Sequence, residues 1–503
     1  MRKSSLVVLV LLLSSAPAGA QITVSSLTEM QRGRIPGADS TALSTLYEQF
    51  NVDYANNDLQ AGLRAEVFNA WGTDRGMVHL SQKFIRWTHG STYLVAGNYY
   101  AILGRGLTLR AFELPGVVLE SQVFRRRYTP SRDIEGSLAS WTGDRTEIKA
   151  LIGRPVKSDI PPGVPNVDRR QDWVAGGEVS LRPVSPLKAG ATFVRLLPRN
   201  ADESLSADKS QAWSGLAEVD FTSLLGLGET YGSFYGEYAK RADDEEGHGL
   251  YLSGNAGGSR LGISLEYKDY DNFVLEVNDP PSLVREHTSV ILNRSTHVLL
   301  PATERGYQIE ATYTLPALAT LTANLSYARN DLTEDLIRVF KERYLGVDFE
   351  KFLPSFSATV FYDWGQDELK GISKHRTGGL LLEGAAWPNH TLGLDFQVQR
   401  ATRPPSFTDI YTALSWQHPL GVSIALILDR TSDPLEVDDP TTLTQIETGA
   451  RTWWAATLSA RFAGRYEALL FAGRRRGGTA CTSGTCYQVL PFKGLEIRFT
   501  THF

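Results

Sequence analysis

From about Leu46 to Phe503 the chain repeats one pattern: short segments in which apolar side chains alternate with charged, amide or hydroxyl ones. Leu392, Leu394, Phe396 and Val398 alternate with Gly393, Asp395, Gln397 and Gln399. Leu261, Ile263, Leu265 and Tyr267 alternate with Gly262, Ser264, Glu266 and Lys268. Leu321, Ala323, Leu325 and Tyr327 do the same with Thr322, Asn324 and Ser326, and Trp213, Gly215, Ala217, Val219 and Phe221 with Ser214, Leu216, Glu218 and Asp220. In a strand the two sets lie on opposite faces. The polar set is the constraint. A dry sandwich core leaves so many polar groups without partners, at a free-energy cost for each, whereas a water-filled lumen solvates them. The fold class that follows is all-β: a transmembrane antiparallel up-and-down β-barrel, polar inside and apolar toward lipid.

The final segment fits that reading. Leu495, Ile497, Phe499, Thr501 and Phe503 share one face, and Glu496, Arg498, Thr500 and His502 the other. A strand that ends the chain on Phe resembles the C-terminal membrane-insertion signal of outer-membrane barrels, with Phe499 and Phe503 as its aromatic positions. At the opposite end, Arg2 and Lys3, the apolar run Leu6 to Leu13, and Ala18-Gly19-Ala20 before Gln21 read as a secretory signal peptide over residues 1–20. The run is too short to cross a bilayer as a helix, and no later stretch of about 18 apolar residues follows. The expected location is the bacterial outer membrane after cleavage. Residues 44–503 are expected to form the barrel, and residues 21–43 to sit in the periplasm or fold into the lumen.

Counting back from Phe503, Ala463-Gly464, His418–Gly421, Trp387–His390, Pro316–Leu318 and Gly257–Ser259 become tight periplasmic turns. Residues 431–449, 271–305, 198–209 and 154–170 become outer loops. Before residue 133 the parity falters. Two strands within 92–113 place the tight turns Asn56–Asp58 and His89-Gly90 outside; merging them leaves an odd number. About 22–24 strands are expected. Trp71, Trp87, Trp141, Trp364, Trp387, Trp416, Trp453 and Trp454 lie near segment ends, where membrane barrels carry interfacial rings.

Without Arg2 and Lys3, 49 of the 51 basic residues remain against 56 acidic ones. This gives no reason to expect nucleic acid as a partner. Asp243-Asp244-Glu245-Glu246, and Glu436 with Asp438 and Asp439, read as solvated loop tips. The two cysteines, Cys481 and Cys486, flank Thr-Ser-Gly-Thr at a hairpin tip, where an exported chain supports a disulfide. No zinc or other metal spacing is present, and no cofactor is implied.

Two segments stand outside the wall pattern. Gly97-Asn-Tyr-Tyr-Ala-Ile-Leu-Gly-Arg-Gly-Leu-Thr-Leu-Arg-Ala-Phe-Glu113 has glycines that permit bending or close backbone approach. Its Arg105 and Arg110 are candidates for a basic pore constriction with Glu113 as counter-charge, the alternative being a kinked strand with internal ion pairs. The second, from Asn278 to His297, contains Pro280, Pro281, Arg285, Glu286, His287 and Arg294. A long loop of that content is expected to fold inward as a lid. Together the two resemble a family of uncharacterised Gram-negative outer-membrane barrels. Its members share a G-[ND]-[FY]-Y…G-R-G-L…L-R…E segment and, in some, a Pro-Pro…Glu-His…Leu-Asn-Arg loop. The resemblance implies the barrel and assigns no reaction or substrate.

The sequence has no Gly-x-Ser-x-Gly, His-Glu-x-x-His or phosphate-loop motif. His79, His248, His375 and His502 are the histidines that a barrel hydrolase would draw on. The leading expectation is a channel or transport barrel for small hydrophilic or amphiphilic solutes, not an enzyme. A structural or assembly-associated barrel is the main alternative. Expected partners are outer-membrane lipid and lipopolysaccharide, the barrel-assembly machinery and a small solute. A receptor with a separate plug domain fits less well, because strand pattern already starts near residue 46.

Overall fold

The computed structural model describes residues 20–36, 42–73, 75–114, 119–121, 124–126, 129–130, 133–156, 172–197, 210–222, 230–243, 246–275, 278–283, 285–298, 300, 302–333, 335–434, 451–482 and 485–503. Only the backbone is described at 75, at the strand residues of 114–130, and at 479, 481–482 and 485–488. Twenty-four strands form one antiparallel sheet that closes on itself. The first strand, Gln21–Arg34, pairs along one edge with Ala42–Asn56 and along the other with the last strand, Phe492–His502. The Phe503 N–H donates to the Val24 carbonyl at 2.8 Å and completes the seam. Closure leaves the wall no free edge.

That seam corrects the expectation for residues 21–43. Gln21–Arg34 lies neither in the periplasm nor in the lumen; it is a wall strand. It is antiparallel to both neighbours, which therefore run parallel to each other and could not close an antiparallel barrel without it. Ile22, Val24 and Met30 face out and Leu27, Glu29 and Gln31 face in. The parity difficulty disappears with it. Asn57-Asp58 and Gly90-Ser91 turn at the same end as Ala463-Gly464, and Leu109–Ala111 is not part of the wall. Asn57, Gly90, Asn389 and Gly421 have positive φ in these tight turns, where Asn and Gly carry little steric cost. The other end carries the long connections, among them 100–133, 272–303 and 476–491. Glu436, Asp438 and Asp439 lie outside the described residues. Asp244 and Glu245 also lie outside the described residues; Glu246 is exposed as expected, whereas the Asp243 side chain is buried against Arg241 at 3.0 Å.

The outer face presents an apolar belt that includes Leu63, Phe193, Leu345, Leu414, Leu426 and Ile497. A patch of that extent is what a lipid-facing wall requires. Among the described residues no helix is long and apolar enough to cross a membrane. Aromatic rings border the belt at the short-turn end: Trp387 and Trp416 pack on His390, and Phe462 and Phe499 stack on Tyr466. Trp453 departs from the expected girdle, because it faces inward beneath Arg476.

The inner face has two sectors. Much of it is polar, as expected, with Asn324, Ser326, Glu342, Asp363, Thr377, Gln397 and Gln399 buried in it. From Ile134–Thr142 round to Leu261–Asp271, however, inward Leu138, Leu151, Val174, Val194 and Leu216 form an apolar cluster with residues 95–111. Here the lumen is packed protein rather than water, because a hairpin folds against the wall.

Candidate functional site

The segment around Gly97 leaves the wall because its backbone must bend there. Gly97 has φ +98°, and a Cβ would fall 2.1 Å from the Lys83 carbonyl oxygen, so a larger residue is excluded. Ala101–Leu103 then pairs with Leu109–Ala111 as an inward hairpin whose tip is Gly104-Arg105-Gly106. Leu103, Leu107 and Leu109 are fully buried against the apolar sector. Complete burial of a leucine side chain contributes about 1.5–3 kcal/mol, so this face fixes the hairpin firmly.

Its tip enters a nest of carboxylates. The Gly104 N–H donates to Glu178 at 3.1 Å, and the Arg105 N–H to the Tyr235 hydroxyl at 3.1 Å and to Glu237 at 3.2 Å. The Arg105 guanidinium donates to Ser253 at 3.1 Å, lies 4.4 Å above the Tyr235 ring, and stands 3.6 Å from Glu218. Arg105 therefore faces the lumen, but carboxylates compensate its charge, as the alternative of internal ion pairs expected. Arg110 lies over Phe112 at 4.4 Å. Burial pulls its guanidinium below the ordinary arginine value, and Asp279 opposes that pull. Glu113 is not the counter-charge of either arginine: it pairs with Arg64 at 2.8 Å.

The long loop, 272–303, folds inward and meets this tip. The Asn278 side chain donates to the Leu107 carbonyl at 2.6 Å and to the Gly106 carbonyl at 3.3 Å. Pro280 is buried, and the Pro281 carbonyl accepts from the Tyr270 hydroxyl at 2.8 Å. Arg285 pairs with Glu310 and lies 4.4 Å over Tyr344; His287 pairs with Glu342. Glu286 is exposed. A short helix, Val290–Ser295, follows, its Ile291 N–H donating to Gln397 at 2.9 Å and its Arg294 pairing with Asp429 at 2.6 Å. Lys370 donates to the Arg294 and Thr296 carbonyls at 3.3 and 2.7 Å, capping the helix end with positive charge. His297 stacks on Phe340 and stands 3.4 Å from Glu304 and 3.6 Å from Asp367. Burial lowers its pKa, but the Asp367 and Glu304 carboxylates outweigh burial and raise it above the ordinary value.

Hairpin and loop thus form one two-part body inside the lumen. The hairpin is held mainly by apolar packing. The loop enters that same apolar core through Phe273, Leu275 and Leu283. From Arg285 to His297 it is held mainly by ion pairs that reach from strand Glu304–Leu315 to strand Val422–Thr431, with Leu292 packed on Tyr344 and Phe361. Both sequence motifs had been readable separately; their junction through Asn278 had not. Their wall partners Glu178, Glu237, Gln397 and Asp429 were recognisable only as inward-facing polar positions, because alternation gives the face and not the neighbour across the lumen.

At the short-turn end the lumen opens into a vestibule of about 560 Å³ lined by His418, Ser423, Arg461, Arg498, Thr500 and His502. His79, His248 and His375 do not converge on one another, although His375 and the loop's His287 flank the same buried carboxylates, Asp363 and Glu342. His79 faces inward opposite Glu66, His248 stands at the rim 3.8 Å from Asp271, and His375 is bonded to Asp363 at 2.8 Å. Among the described residues no group of three or more His, Cys, Asp or Glu side chains is arranged to hold a metal ion. Cys481 and Cys486 stand directly opposite one another in the hairpin Gly478–Thr482/Thr485–Val489, and their side chains lie outside the described residues.

Residues 34–365, well over half of the chain, match the family described as a family of unknown function, DUF6029. The chain belongs to this family. The DUF6029 match contains both the hairpin and the loop. No curated protein matches the chain. Among solved structures, the siderophore receptor PirA from Pseudomonas aeruginosa is 11% identical, with 97% of this chain and 81% of that chain covered and a TM-score of 0.46. The P pilus usher (PapC) translocation pore is 10% identical, covering 96% and 99%, with a TM-score of 0.44. OpdQ from Pseudomonas aeruginosa is 11% identical, covering 72% and 96%, with a TM-score of 0.41. These likenesses are distant, and no functional residue is carried over from them to this DUF6029 chain.

Proposed function

We propose that this chain is an outer-membrane transport barrel for small hydrophilic or amphiphilic solutes, closed at rest by its own two-part plug. The observation that carries the reading is the difference between the two halves of the plug. The hairpin shares an apolar core with the wall. The loop joins that core through Phe273, Leu275 and Leu283, but its residues 285–297 are joined to the wall largely through ion pairs and hydrogen bonds, a polar interface that water can replace. The hairpin is therefore the fixed half, and residues 285–297 of the loop the displaceable half. Beneath them the vestibule keeps polar and charged groups available to a solute. The basic constriction is recast: Arg105 anchors the plug to Glu218 and Tyr235, and selectivity comes from the wall once the loop moves. No enzymatic step is part of the proposal.

Liposome swelling tests it. Proteoliposomes carrying the Arg285→Ala/Arg294→Ala variant are expected to swell in small sugars or amino acids about tenfold faster than those carrying the native chain, for a loss of about 1.4 kcal/mol of loop docking. Swelling of both no faster than protein-free liposomes would favour the structural, non-transporting alternative.

A further inference from the structure

The outward face of the wall carries a charge pattern that the lumen does not explain. On the loop side of the barrel, the apolar belt ends in a cation on strand after strand. Outward Val422, Ile424, Leu426 and Leu428 lead to Arg430, and outward Leu392, Leu394, Phe396 and Val398 lead to Arg400. Phe499, Ile497 and Leu495 lead in the same direction to Lys493. Arg376, Arg343 and Arg34 hold equivalent positions on Ile372–Trp387, Leu336–Leu353 and Gln21–Arg34. All six are exposed. Among the described residues none of them forms an ion pair, and no Asp or Glu takes an outward position on the loop-side half of these strands. Two outward cations beyond this arc do have partners: Arg305 pairs with Asp269 at 2.9 Å and Arg329 with Asp331 at 2.7 Å.

Register sharpens the pattern. Arg376 stands directly opposite Arg400, and Lys493 directly opposite Arg34. Like charges facing each other across a ladder repel, and the wall supplies no anion to offset them. Trp364 occupies the same row between Arg343 and Arg376, an amphipathic ring at the border of the belt. Cations one outward position beyond a lipid-facing belt lie at the depth of headgroups. A ligand that satisfies both features needs acyl chains below and negative charge above.

We propose that this arc binds the phosphate-bearing headgroup of a lipid in the leaflet at the loop end, with its acyl chains on the adjoining belt. The inference rests on the wall spanning a membrane. It does not depend on solute passage, so either can fail alone.

The test titrates the detergent-purified full chain with bis-phosphorylated lipid A, with the same lipid stripped of its phosphates, and with phosphatidylethanolamine. Bound lipid is read by native mass spectrometry. The native chain is expected to retain lipid A in preference to both controls. The Arg376→Gln/Arg400→Gln/Lys493→Gln variant should bind it on the order of a hundredfold more weakly, since each cation near an anionic lipid surface contributes comparably. Heat-modifiable migration on a gel checks that the variant is folded. If it is not, the comparison of phosphorylated and stripped lipid on the native chain decides the matter. Equal retention of all three lipids, or unchanged lipid A binding by the folded variant, overturns the proposal. So does displacement of lipid A by an equal concentration of inorganic phosphate, which would mark a free-anion site.

Discussion

Gly104 and His297 show how much rests on single residues of the plug. Gly104 has φ +57°, and a Cβ there would meet the Glu237 carboxylate at 2.6 Å. Gly104→Ala is expected to cost the hairpin tip about 1–3 kcal/mol, detected as faster liposome swelling while the folded gel band persists. His297 makes loop docking depend on pH. Because its pKa is raised above the ordinary 6.5 on docking, its contribution is complete below that ordinary value. It is lost as pH rises through the raised value. The groups packed around it are Glu304, Asp367, Lys268, Lys370 and Phe340. Conductance should therefore rise with pH above 6.5, and His297→Gln should flatten that rise. A His297→Gln channel with the native pH profile would assign the dependence to another group.

At the scale of elements, the alternation of apolar and polar residues made most wall strands readable, because lipid and lumen impose opposite demands on adjacent positions. The tight turns at Asn389, Gly421 and Gly464 were equally legible from residues that tolerate positive φ. Gln21–Arg34 was not, because Ser25, Ser26 and Thr28 interrupt its outward and inward sets and blur the period. The hairpin at 101–111 was read as a bend with uncertain destination: its leucines suit a wall strand as well as a luminal core. The candidate site was visible as two motifs, while the carboxylates that receive it were scattered over strands far apart in the chain. Two outcomes follow at this scale. Removing residues 21–34 should abolish the heat-modifiable folded band, since the edges left behind run parallel. A truncated chain that still migrates as a folded barrel would show that the seam can be remade without its first strand. Oxidised protein should also gain the mass of two hydrogens on reduction, if Cys481 and Cys486 are joined as their opposed backbone positions permit.

At the scale of the whole molecule, the barrel is a rigid closed wall with a fixed hairpin and a loop held by compensated charges. Arg105, Arg285, His287, Arg294 and His297 all rest against carboxylates of the wall. Displacing the loop would return Glu310 and Glu342 to the lumen without Arg285 and His287, and would leave Asp429 with Arg476 alone, so the open state should prefer cations. Planar-bilayer recording of the native chain and of the Arg285→Ala/Arg294→Ala variant is the most direct measurement. The native chain should be closed for most of the time, and the variant should open about ten times more often, with a reversal potential on the cation-selective side in a salt gradient. A variant as silent as the native chain, even after the loop residues 278–297 are deleted, would contradict a gated transport barrel.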